Sequence, residues 1–101
     1  RRPILRNNTG GLSGSAVFPI AVRMVREVYK RVKVPVVGMG GISSWEDAAE
    51  MMLAGAAAVQ VGTANFRDPF AAMKILEGLE AFAAAEGLSS VTELTGGVTE
   101  W

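Results

Sequence analysis

The 101-residue sequence contains no cysteine and no histidine. Without cysteine there are no disulfides, no thiolate metal sites and no cysteine nucleophile or base. Without histidine the commonest general base and the commonest metal ligand are missing. Little equipment for proton transfer remains, and no metal site is expected. Neither sign of charge is in excess, since ten Lys and Arg balance ten Asp and Glu. With no basic patch, nucleic acid is not an expected partner. No apolar run reaches the ~18 residues that a membrane helix needs. No signal peptide is recognisable at Arg1-Arg2-Pro3. The expectation is a cytoplasmic protein with no membrane partner.

Half of the residues are hydrophobic, which excludes a disordered or fibrous chain. The length allows one small domain. Its organising stretch is Val34-Pro35-Val36-Val37-Gly38-Met39-Gly40-Gly41-Ile42. The β-branched valines suit a packed, pleated surface. The run does not alternate, so it reads as a strand covered on both faces. Gly38, Gly40 and Gly41 permit turns that a side chain forbids and leave bare peptide for a ligand. Ser43 with Glu46 three residues later reads as a capping box opening a helix. A strand, a bare turn and a helix N-terminus together make an anion site. Such turns also arise simply because the connection is tight. A second copy, Ala57-Ala58-Val59-Gln60-Val61-Gly62-Thr63-Ala64, again ends a strand in glycine and precedes a helix start at Asp68-Pro69.

Before the first strand, residues 1–15 are loop-like, with turn chemistry in Asn7-Asn8-Thr9-Gly10-Gly11. Val17–Val32 is an amphipathic helix with Val17, Ile20, Ala21, Met24, Val25 and Val28 on one face. Pro19 belongs in its first turn. Its basic residues lie towards the C-terminal end and read as a solvated face. A second helix runs from Ser44 to about Ala54, with Gly55 as its C-cap. Gln60 in the next strand points to a ligand or barrel interior, or is hydrogen-bonded internally. A third helix is expected over Pro69–Glu86, capped by Asp68 and Gly87. Phe70, Met73, Leu76, Leu79, Phe82 and Ala83 form its inner face, and Gly78 weakens it. A second capping box, Ser90-Val91-Thr92-Glu93, opens a short last helix over Val91–Thr95. Strand, helix and strand within Val34–Val61 make a parallel βαβ unit. The fold class is therefore α/β. The order of elements matches the last quarter of a TIM (β/α)8 barrel, strands seven and eight with flanking helices. There the phosphate site lies on the loops after those strands. A doubly wound sheet is the alternative.

Thr9-Gly10-Gly11-Leu12-Ser13-Gly14, Gly38-Met39-Gly40-Gly41-Ile42 and Val61-Gly62-Thr63-Ala64-Asn65-Phe66, at this spacing, resemble the C-terminal part of the dihydroorotate dehydrogenases. The similarity is to the class 1, NAD-linked bacterial type, catalytic subunit, and covers nearly the whole chain. The resemblance implies a C-terminal fragment, residues 1–101, of a flavin-binding barrel that oxidises dihydroorotate to orotate in pyrimidine biosynthesis. It implies FMN as the cofactor, with Gly40 and Gly41 in one phosphate loop, Gly62 and Thr63 in the other, and Gly14 close to the flavin. Amides and a hydroxyl can cradle a phosphate without lysine. Ser15 departs from the proline usual there. The family's cysteine base, its substrate-binding asparagines and its flavin-proximal lysine have no match in these residues, so no catalytic residue is assigned. The implied partners are the remaining barrel residues, an electron-transfer subunit with FAD and an iron–sulfur cluster, and further copies in a homo-oligomer. The alternatives are another phosphate-binding barrel, such as a phosphosugar isomerase or synthase, and a truncated scaffold that binds nothing.

Overall fold

A computed structural model describes residues 1–101. A one-turn 3-10 segment, Ser15–Val17, leads into helix α1, Phe18–Tyr29. Strand β1, Val37–Met39, helix α2, Trp45–Ala54, and strand β2, Ala58–Gln60, follow. A short helix α3, Ala64–Arg67, precedes the long helix α4, Ala71–Ala85. The strands pair in parallel, with Val37 opposite Ala58 and Met39 opposite Gln60. The expected βαβ unit is present, and the class is α/β.

Helix α2 is the centre of the molecule. Ala48, Ala49, Met51, Met52 and Ala54 are buried on several of its faces. The other elements pack around it: α1, α4, the sheet and the 3-10 turn at Val91–Leu94. Met51 is fully buried beneath Gly38, where a Cβ would come 2.4 Å from Met51 Cγ. The strand can lie this close to the helix only because Gly38 has no side chain. On α2's other side Trp45 meets Phe82 with ring centroids 5.3 Å apart, a contact worth about 0.5–1.5 kcal/mol beyond area burial.

Several local expectations are corrected. The first strand, Val37–Met39, lies further along than the valine run and takes in Gly38, which the sequence reading places in the turn, and within these residues it is not covered on both faces. Val37 and Met39 are 53% and 63% exposed, because side chains alternate and only the Gly38 face meets α2. Gln60 is exposed and makes no side-chain hydrogen bond within the chain. The helix after the first glycine turn is capped one residue later than expected. Ser44 Oγ accepts from Asp47 N–H at 3.2 Å, and Asp47 Oδ2 accepts from both the N–H and the hydroxyl of Ser43 at 3.0 Å. The carboxylate at Asp47 reaches back, whereas Glu46 points to solvent.

A helix-forming turn, α3, occupies the stretch before Asp68 that sequence reading leaves as connection. Asp68 caps a turn rather than the helix itself: its Oδ1 accepts from Phe70 N–H at 2.9 Å, and α4 starts at Ala71, not Pro69. The buried row of α4 is Ala71, Ile75, Leu79 and Ala83; Phe70, Met73 and Leu76 are exposed. Apolar residues surround most of this helix, so its pattern does not single out one row. Packing does: a Cβ on Gly78 would sit 2.4 Å from the Trp45 ring. Gly78 therefore lets Trp45 dock and sets the face. In α1, Val25 is buried while Ile20, Met24 and Val28 are exposed.

The last expected helix is the 3-10 turn Val91–Leu94, again with a serine–carboxylate box: Glu93 accepts from Ser89. The tail beyond it lies over the end of α2. Gly96 N–H donates to Met52 O at 2.9 Å, which also accepts from Gly55 N–H, and Val98 N–H donates to Leu53 O at 3.2 Å, satisfying a carbonyl that the helix end leaves unpaired. Glu100 then bridges Arg26 and Lys30 on α1 at 2.8 and 2.6 Å.

Candidate functional site

Three loops meet at the ends of β1 and β2. Gly14, in the segment before α1, lies against the turn after β1: a Cβ on Gly41 would be 2.6 Å from Gly14 O and 2.9 Å from Phe18 Cβ. Gly41 has φ +73°, a region open to glycine, so its identity is set by both torsion and close approach. The turn after β2 completes the ring. The result is a cleft of about 260 Å³ lined by Gly14, Gly40, Gly41, Gly62 and Thr63, with Leu12, Val17 and Met39 among its walls. All the cofactor-binding positions named from sequence thus border one space. A neighbouring cleft of about 240 Å³ shares Gly14, Gly41 and Thr63 and adds Ser15, Ser43 and Arg67.

The chemistry of this lining is donation. The N–H groups of Gly40, Gly41, Ile42, Gly62 and Thr63 have no backbone acceptor in the chain. Such groups bond to something in a folded protein, whether water or a ligand. The Thr63 hydroxyl makes no capping bond. No carboxylate lines either cleft, and Arg67 is the one titratable side chain on them. A donor-rich, carboxylate-free lining fits a phosphate monoester.

The start of α2 takes less part than its sequence suggests. Ser43 N–H is already spent on Asp47, whose negative charge occupies the position that the dipole offers an anion. The amide donors come from the two glycine turns instead. Gly62 differs from Gly40 and Gly41, whose added Cβ would meet neighbouring atoms within 3 Å. A Cβ on Gly62 would meet nothing within 4 Å, so its small size serves the cleft and not the packing.

The family model described as dihydroorotate dehydrogenase matches residues 1–83. The chain belongs to the dihydroorotate dehydrogenase family. It is 60% identical over 96 residues to "Dihydroorotate dehydrogenase B (NAD(+)), catalytic subunit" of Geotalea uraniireducens, and the match covers 95% of this chain and 32% of that one. The protein of the same description in Parabacteroides distasonis is 53% identical over 96 residues, with the same coverage. The chain therefore spans about a third of the length of the curated relatives it matches. A crystal structure of the Eimeria tenella dihydroorotate dehydrogenase in complex with ferulenol superposes with a TM-score of 0.82 at 31% identity, covering 96% of this chain and 28% of that one.

Arg67 was not singled out by sequence reading. The available signal was its place four residues after Thr63, one helical turn on, but with α3 unrecognised that spacing had no meaning. The remaining surface is less suited to an anion. A depression of about 550 Å³ between α1 and α2 is lined by charges that are mostly paired, Arg23 with Glu27 and Arg26 with Glu100. No group of carboxylates is placed to hold a metal ion. No helix is long and apolar enough to cross a membrane.

Proposed function

We propose that the cleft holds the phosphate of FMN in a dihydroorotate dehydrogenase, and that these residues are the last quarter of its (β/α)8 barrel, with β1 and β2 as strands seven and eight. The observation that carries this reading is the convergence of Gly14, Gly40, Gly41, Gly62 and Thr63 on one donor-rich cleft at the ends of two parallel strands. Barrels of this kind place phosphate on the loops after strands seven and eight, beside a short extra helix. The short helix α3 directly after the Gly62–Thr63 turn supports this reading.

In this role the amides of the Gly40–Ile42 turn and the Gly62–Thr63 turn donate to phosphate oxygens. The Thr63 hydroxyl adds a donor, and the bare Gly62 leaves room for the ester. Leu12, Val17 and Met39 shield one side from water. When bound, the flavin supplies the hydride acceptor for oxidation of dihydroorotate to orotate in pyrimidine biosynthesis. The groups that take the substrate proton lie outside these residues. As in a B-type catalytic subunit, the partners are the remaining barrel residues and an electron-transfer subunit with FAD and an iron–sulfur cluster, in a cytoplasmic homo-oligomer.

The test is to purify the polypeptide as its own gene encodes it, release any chromophore and identify it, then titrate the stripped protein with FMN. A yellow protein releasing FMN, and reloaded by it, is expected. A colourless protein that takes up a phosphosugar but no flavin would overturn the reading in favour of another phosphate-binding barrel.

A further inference from the structure

Arg67 is exposed on the rim of the neighbouring 240 Å³ cleft, which shares Gly14, Gly41 and Thr63 with the first, and has no ion-pair partner, unlike Arg23, Arg26, Lys30 and Lys74. Its sequence neighbour Asp68 would be the obvious counter-charge. That carboxylate is engaged elsewhere, accepting from Lys74 Nζ and from Phe70 N–H. Asp47 reaches the rim only through Ser43, from which it accepts two hydrogen bonds. Arg67 therefore keeps an unspent positive charge beside amides that have no acceptor in the chain. It stands one helical turn after Thr63, and helical side chains lean towards the N-terminus, which carries the guanidinium back towards the turn of Gly62 and Thr63.

We propose that Arg67 sets the preference for a phosphorylated flavin over its unphosphorylated parent. This rests on the FMN reading above. Backbone amides offer a phosphate directed but uncharged donors. A guanidinium adds full charge and a planar fork matched to phosphate oxygens. Riboflavin has no phosphate and gains nothing from it. Arg67 is thus a specificity residue whose contribution depends on one substituent of the ligand.

The experiment uses the polypeptide as its own gene encodes it, stripped of flavin, with fluorescence titrations of FMN and riboflavin in parallel. In R67Q the Kd for FMN should rise about tenfold or more, the effect of losing a charge-assisted hydrogen bond, while the Kd for riboflavin stays unchanged. R67K should recover part of the loss, because it restores charge without the fork. Added salt should erode the FMN preference of the unaltered protein more than that of R67Q. Circular dichroism of R67Q should match the unaltered protein, as the side chain is exposed. Equal FMN affinity in R67Q and the unaltered protein would overturn the role of Arg67 and leave the cleft assignment standing. Equal weakening of FMN and riboflavin would also overturn it. Failure of the unaltered protein to bind FMN would overturn both readings together.

Discussion

At the scale of residues, the glycines of the clefts divide by what their missing side chain makes room for. Gly41 gives way to Gly14 and Phe18; Gly62 faces open space. Gly41→Val should cost stability, on the order of 1–3 kcal/mol from torsional strain and overpacking, so its loss of ligand would be ambiguous. Gly62→Val should leave the thermal transition unchanged and still abolish flavin binding. Calorimetry beside a flavin titration reads both, and a Gly62→Val protein that binds as tightly as the parent would contradict the role assigned to that turn. Glu100 carries a second expectation. The Lys30 ammonium and then the Arg26 guanidinium lower its pKa from the ordinary 4.5 to about 2. A lowered folded pKa means that the tail's attachment adds stability above pH 4.5 and loses it as the pH falls towards 2. Carboxyl NMR of Glu100 should give a midpoint near 2, with the protection of the Gly96 and Val98 amides, relative to their intrinsic exchange rates, falling over the same interval. A midpoint at 4.5 would mean that the bridge to α1 does not form in solution.

At the scale of elements, Gly78 gives the sharpest test of packing against propensity. In an exposed helix, Gly→Ala stabilises by about 0.5–1 kcal/mol. Here the added methyl would meet Trp45 at 2.4–2.5 Å, and overpacking of that kind costs about 1–3 kcal/mol. Gly78→Ala should therefore destabilise the protein in a urea titration; a gain in stability would contradict the docking of Trp45 on α4. Loss of the Ser44 cap in Ser44→Ala should cost about 1 kcal/mol in the same assay. The βαβ order, the Ser44–Ala54 helix and its Gly55 terminus were legible because periodicity and caps are local signals. The buried row of α4 was not, since its apolar residues admit two rows and the choice is made by Trp45 from another element. Helix α3 was missed because a four-residue turn has no period to read. The face opened by Val37 and Met39 has no cover within these residues, and a run of valines does not say which element supplies one.

At the scale of the whole molecule, the surface tells against independence. The Cα radius of gyration is 15.4 Å, against about 13 Å for a compact domain of this length. Both strands have an unpaired edge in a two-stranded sheet, and Val37 and Met39 open one face of it. The isolated chain should self-associate in light scattering. A monodisperse monomer with strongly protected amides at Val37 and Val59 would contradict that expectation. The glycines and threonine of the cleft were readable as motifs, because a bare turn after a strand is visible in sequence. Their convergence and the unspent charge of Arg67 needed the tertiary structure. The central claim, that these two turns grip a flavin phosphate, is tested most directly by amide NMR during an FMN titration. Saturable shifts should fall on the N–H groups of Gly40, Gly41, Ile42, Gly62 and Thr63, with smaller or absent effects from riboflavin. Shifts confined to the groove between α1 and α2, or none at saturating FMN, would contradict it.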